Sequence, residues 1–390
     1  MMLYGDGIHD DTAAIQELLD TRRNYIELPP PAVFYLISRT LKIHSNQELR
    51  LPRYCHIVLA PNSNCYMITN ADVVNGNENI TISGGIWDYN NKKQKSNPAI
   101  VPHIISISKY ECSYNGISAF FYHVNRLVLH DITFKDPVTY ACTLDTVSYF
   151  TVANVVFDFN YGNPFAQNMD GIHMNGNCNH GLLQNLKGAC YDDLVALNAD
   201  EGSRGPITNI RISGIFAENC HSAVRLLTVD NPVEHIHISD IFGTFYTYCI
   251  GITKFCFERK TTGYFDGLVF DNIHVSKAML RPEYHKEEIY GIQPVILIER
   301  ETITKSLSIS NLFRNECNMP VPTIGLQKNA FVDHFNLRSC FNRGRTDVQY
   351  CFVDNNGSIN NLFIQDVYNE NGDIWNGNQP KNRNSGKEYE

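Results

Sequence analysis

Apolar and polar residues alternate along this chain in short bursts, and one burst keeps returning. Its form is apolar–x–apolar–x–polar or Gly, followed by an apolar residue. It appears as NITISGGI from Asn79, RLVLHDI from Arg126, YFTVANV from Tyr149 and NIRISGI from Asn209. Further copies are HIHISDI from His235, GLVFDNI from Gly267, SLSISNL from Ser306, HFNLRSC from His334 and NLFIQDV from Asn361. A weaker copy, HGLLQNL from His180, fills one gap with Gly181 in register. Two-residue alternation marks half-buried strands, and the polar or glycine break marks a turn.

The first apolar positions of the copies are 80, 127, 150, 181, 210, 236, 268, 307, 335 and 362. Most intervals are 23 to 32 residues, and 47 and 39 are the outliers. Short strands at a nearly constant period, with no helical period between them, predict an all-β, right-handed, single-stranded parallel β-helix. One coil cannot bury its apolar face, whereas stacked coils share a continuous core. An antiparallel sandwich also has many short strands, but it does not need one motif to recur. The reading is a single domain over residues 1–370, followed by a polar tail, 371–390, expected to be poorly ordered. Residues 10–23, DDTAAIQELLDTRR, carry Ala14, Ile15, Leu18 and Leu19 at helical spacing behind Asp10 or Asp11 as N-cap. This helix is expected to cap the stack.

A second strand set follows from the same parity: CTL at 142–144, IHM at 172–174, VAL at 195–197, VRL at 224–226 and IGI at 250–252. Their first residues are 30, 23, 29 and 26 apart, which tracks the coil length. Stacked rungs lie about 4.8 Å apart. The position two before each strand is then Tyr140, Asp170, Asp193, Ser222 and Tyr248, and the position before that holds Asp192 and His221 in successive coils. A lone Asp at such a place is a turn residue. Three carboxylates on adjacent coils repel, so at least one pKa should rise. A raised carboxyl beside an ionised one serves general acid and base work. The outward column within the strands holds His173, Ala196, Arg225 and Gly251, which makes His173 and Arg225 candidates for touching a ligand. HIH at 235–237 lacks a third ligand and reads as solvated surface.

Composition narrows the function classes. The chain has 390 residues, 43% hydrophobic and 19% charged, with formal net charge 32 − 41 = −9. That balance argues against a nucleic-acid partner, and no apolar run reaches the ~18 residues of a membrane span. The twelve cysteines form no CxxC or zinc-type pairing, a usage that suits a reducing compartment. MMLYGDGIHDD shows neither the basic region nor the apolar core of a signal peptide. The expectation is a cytoplasmic protein, with an extracellular or virion setting as the alternative.

GDGIHDDTAAIQ resembles the opening signature of the pectate-lyase-like parallel β-helix superfamily. The middle of the chain is similar to the family 28 glycoside hydrolases, the polygalacturonases and their relatives. NMD (168–170) and DD (192–193) match that family's Asn-x-Asp and Asp-Asp motifs in type and spacing, and CHS (220–222) keeps the histidine of Gly-His-Gly. ENITISGGIWD and ITFKDPVTYACTL read like its upstream coils. The resemblance implies inverting hydrolysis of a glycosidic bond in a pectin-like or related glycan. It makes Asp192 the general acid and has Asp170 and Asp193 hold and activate water. It has His221 tune the acid or orient substrate, and Asn168 contact sugar hydroxyls or position Asp170. No cofactor and no metal are implied, and the partner is a carbohydrate. Where the family has Arg-Ile-Lys, this chain reads GIT (251–253) and then Lys254. Arg225, Lys254 and Arg300 are the candidate substitutes for the cations that grip a uronate. The segment 277–293 breaks the coil period and is expected to loop over the groove. Two alternatives are a polysaccharide lyase of the same fold, with the acids caging Ca²⁺, and a tailspike-type glycan binder forming a homo-oligomer such as a trimer.

Overall fold

The structure, a computed structural model, describes residues 2–96, 116–164, 166–254, 260–279, 293–317, 319–344 and 347–385. Among the described residues, apart from one α-helix and one 3₁₀ turn, the regular elements are strands paired in parallel, wound as a right-handed parallel β-helix. Contacts group the chain into two compact units: Met1–Val195 with Glu201–Arg204, and Ala196–Asp200 with Gly205–Glu390.

The early turns of the first unit contribute three strands each, and in the later turns Ser148–Asp158 and Asn179–Ala189 each run through two of the three ladders. One ladder aligns Leu49, Ile82, Leu129, Val152 and Leu183. A second aligns Ile57, Trp87, Phe134 and Phe157, and a third aligns Leu41, Ile68, Ala119, Cys142 and Ile172. All of these side chains are buried, so like residues stack on like and the core runs through the middle of the coils. Gly181 sits opposite Phe150, and a Cβ there would lie 2.2 Å from the Phe150 ring. The weak copy of the repeat is therefore weak because its neighbour's ring fills the space.

The second unit repeats the scheme. Ile210, Ile236, Leu268, Leu307, Phe335 and Leu362 form one ladder. Val224, Ile250, Ile296, Ile324, Val353 and Trp375 form another. The two long intervals stay in register, with Ile80 beside Leu127 and Leu268 beside Leu307. The ladder is unshifted across both intervals. The part of the expected groove loop at 280–292 lies outside the described residues.

The helix spans Thr12–Asp20, shorter than the 10–23 expected, and buries Ala14, Ile15 and Leu19. Asp11 is its N-cap by backbone only. The Asp11 carboxylate accepts the Tyr4 N–H at 2.6 Å and the Gly5 N–H at 3.2 Å, which ties down the preceding loop. Asp10 accepts the Thr12 N–H at 2.9 Å. Gln16 anchors the helix by accepting the Lys42 N–H at 2.8 Å. The tail expectation needs correction. Trp375–Gly377 pairs with Val353–Asn355, and Asn382–Ser385 pairs with Asn361–Ile364. Main-chain hydrogen bonding carries the coils on to Ser385 despite the polar composition.

Candidate active site

The acids at 170 and 192–193 meet in the first unit. Asp170 sits at the corner leading into the strand Ile172–Met174, and its C=O accepts the Ala141 N–H at 2.9 Å. Gly171 N–H donates to the Asp193 C=O at 3.0 Å, which sets Ile172 opposite Val195 and Asp170 beside Asp193. Only glycine fits at 171, because a Cβ would stand 2.4 Å from the Leu194 carbonyl oxygen. Asp170 and Asp193 are buried, while Asp192 is half-buried. Asn168 is also half-buried and left-handed, with φ 51°. That backbone turns the chain into the corner at little cost for Asn.

Asp170 is held by a residue that the sequence assigned to ligand contact. His173 Nδ1 meets Asp170 Oδ2 at 2.6 Å, and its Nε2 meets Glu201 Oε2 at 3.1 Å. The Tyr140 ring stacks on the imidazole, with centroids 3.9 Å apart and planes at 11°. Both nitrogens of His173 are engaged by carboxylates, and its side chain is only 2% exposed. These contacts tie the His173 side chain to Asp170 and Glu201 of the chain itself.

Glu201 was missed by the sequence reading. The loop that carries it is pinned by Asp145, whose Oδ2 accepts the Asn175 Nδ2 at 2.8 Å and the Ser203 N–H at 3.0 Å. Gly202, at φ 57°, lies against both partners, since a Cβ would come within 2.2 Å of Asn175 and 2.3 Å of Asp145. No repeat or motif marks Glu201. The only sequence signal is an acid beside a glycine just after the strand Asp193–Asn198.

Burial first, and then the neighbouring charges of Asp192 and Asp193, push the Asp170 carboxyl up to about 8 against the lowering effect of His173. Burial alone would lower His173. Its hydrogen bonds and charge attraction to Asp170 and Glu201 outweigh that and raise it to about 10. Clustered acids with one raised pKa are what the sequence predicted. The cause is mainly desolvation, with repulsion second.

The remaining candidates belong to the second unit. His221 is buried, with the Tyr246 ring edge-on at 5.6 Å. Ser222 pairs in register with Tyr248, and Arg225 with Gly251, as the column predicted. Arg225 is half-buried and donates from Nε to Thr253 Oγ1 at 3.1 Å. Lys254 is engaged within the chain. Its ammonium is buried and paired with Glu301 Oε2 at 2.9 Å, and its N–H donates to Glu299 Oε2 at 2.9 Å. A cation committed to an internal carboxylate is poorly placed to grip a uronate. Arg300 is exposed, and its N–H donates to Gln327 Oε1 at 3.2 Å. Burial raises Glu299, while Lys254, Arg225 and Arg300 pull it back. The three candidate cations thus share the field of a carboxylate of the chain itself.

No family model matches the sequence, and no curated protein matches it. Solved structures do. A tailspike protein of E. coli bacteriophage HK620, in complex with a pentasaccharide, aligns at TM-score 0.66 and 12% identity, covering 94% of this chain and 69% of that one. The mannuronan C-5 epimerase AlgE4 A-module of Azotobacter vinelandii aligns at TM-score 0.60 and 11% identity, covering 99% and 98%. The Yersinia enterocolitica family 28 exopolygalacturonase aligns at TM-score 0.57 and 12% identity, covering 99% and 77%. The likeness establishes the fold. At such identities it assigns no residue a role, and the site rests on its own geometry.

Proposed function

We propose that the protein is a glycoside hydrolase that cleaves a glycosidic bond in a poly- or oligosaccharide with inversion. The observation that carries this reading is the gathering of Asp170, Asp192 and Asp193 on neighbouring coils, with Asp170 buried and titrating in the neutral range. Desolvated, mutually repelling carboxylates cost stability, and a proton-transfer site is the usual reason to keep them. The folds it shares include a polygalacturonase and a tailspike solved with a bound pentasaccharide, which supports a carbohydrate as substrate.

In this reading Asp192, the most accessible of the three, protonates the glycosidic oxygen as its bond to the anomeric carbon breaks. Asp170 and Asp193 hold a water and remove its proton as its oxygen bonds to that carbon from the opposite face. The proton lost by Asp192 and the one gained by the base balance, and solvent resets both. Two carboxylates flanking an intervening water is the inverting arrangement. A base that titrates near working pH gives up and regains its proton readily. Because Lys254 is paired internally, the reading favours a glycan whose recognition does not rest on a uronate carboxylate.

NMR of the first product formed from defined oligosaccharides tests this. The new reducing end should appear with inverted anomeric configuration. Retention, or an unsaturated product absorbing in the ultraviolet, would overturn it. The tailspike likeness keeps a binding-only reading in view. Asp192→Asn separates the two, because it abolishes turnover in the hydrolase and leaves a pure binder unchanged.

A further inference from the structure

Resting on that reading, we propose that Asp170, His173 and Glu201 act as one hydrogen-bonded relay in which Glu201, through His173, is a positioning residue for the base. The geometry requires a shared proton inventory. An ionised carboxylate only accepts hydrogen bonds, and a neutral imidazole has one donor nitrogen. His173 presents Nδ1 to one carboxylate at 2.6 Å and Nε2 to another at 3.1 Å. Two protons therefore lie along the three groups, either both on the ring or with one shifted to a carboxylate, and the net charge is −1 in each case. Burial and the facing charges of Asp192 and Asp193 push Asp170 toward its neutral form, and without His173 the push would be stronger. The imidazolium offsets that repulsion, and Glu201 keeps the imidazolium protonated.

The groups facing the relay are consistent with this. Asp170 faces His173, Asp192 and Asp193, and His173 faces Asp170, Glu201 and the flat face of Tyr140. Tyr140 fixes the ring plane and supplies no charge. Exposure rises from 5% at Asp170 and 2% at His173 to 14% at Glu201, so Glu201 is the end nearest water. When Asp170 takes the proton of the attacking water, the ring keeps both of its protons and its charge, because Glu201 holds Nε2. Asp170 returns that proton to solvent once product has left, and His173 holds its carboxyl in place throughout.

Two readouts on the full chain test the relay. The first needs no substrate: ¹⁵N NMR of the His173 ring against pH. The native ring should keep both nitrogens protonated well above neutrality, and Glu201→Gln should lower its titration by about one unit or more. The second is kinetic. Glu201→Gln should reduce kcat by roughly tenfold with little change in KM, and His173→Gln by roughly 100-fold with the low-pH limb moved upward. Glu201→Asp, which keeps the charge one methylene back, should recover part of the loss. If the ring titrates as expected but no glycan is cleaved, the relay stands and the hydrolase reading falls. If glycan is cleaved while His173 titrates as an ordinary imidazole, or Glu201→Gln leaves the pH profile unmoved, the relay is wrong.

Discussion

At the scale of single residues, the acid cluster should trade stability for turnover. Asp192→Asn relieves repulsion on Asp170 and should raise stability by about 0.5–2 kcal/mol while abolishing cleavage and keeping oligosaccharide affinity. Thermal melts together with calorimetric titration check this. Asp170 and His173 both titrate above their ordinary values, at about 8 and about 10. A raised folded-state pKa means that the native state binds more protons than the unfolded chain. The stability from His173 is thus full below about 6.5 and lost as pH rises through about 10, and that from Asp170 is lost as pH rises through about 8. Urea unfolding at pH 6 and pH 10 should show this decline, and Asp170→Asn should flatten its lower part. In the second unit, Arg314 and Glu316 form a fully buried pair at 2.7 Å. Glu316→Ala strands the guanidinium and should cost about 3–5 kcal/mol. Asp170, Asp192 and Asp193 were legible in the sequence because coil spacing converts directly into distance. Glu201 was not, because it reaches His173 from a loop that no period governs. The ion pair of Lys254 was not legible, because its partner, Glu301, stands 47 positions away.

At the scale of elements, the break in the repeated burst has a physical identity. Its sixth residue is left-handed in every copy: Gly84, Asp131, Asn154, Asn185, Gly214, Asp240, Asn272, Asn311, Ser339 and Asp366 all have φ between 52° and 77°. Asn, Asp and Gly tolerate that backbone best, so the composition of the break was a record of chain direction. Neighbouring coils also link through it, as where Asn185 Nδ2 donates to Asn154 Oδ1 at 2.6 Å and Asn272 Nδ2 to Asp240 Oδ1 at 2.7 Å. Asn272→Val combines a β-branched side chain with a left-handed backbone and removes that link. It should destabilise the second unit by about 1–2 kcal/mol or more, read from the denaturant midpoint. The strands were legible because the burst was strict. The helix limits and the last strands were not. The Asp11 side chain serves the preceding loop and not the helix, and Trp375–Gly377 and Asn382–Ser385 join the ladder through the main chain with little apolar pattern.

At the scale of the whole molecule, the class of fold was legible from the repeat alone, since the ladders align the predicted positions within each unit. The chemistry is tested at this scale by metal removal. In the hydrolase reading EDTA leaves turnover unchanged, whereas a calcium-dependent lyase would stop and recover on adding Ca²⁺. The two long intervals carry a separate consequence. Because Ile80 still meets Leu127 and Leu268 still meets Leu307, the ladder accepts connections of very different length between neighbouring strands. Doubling the length of such a connection costs only about 0.6 kcal/mol in chain entropy. Foreign peptides inserted into such connections should leave the melting temperature nearly unchanged, so the scaffold could be given new recognition surfaces without its stacked rungs being redesigned.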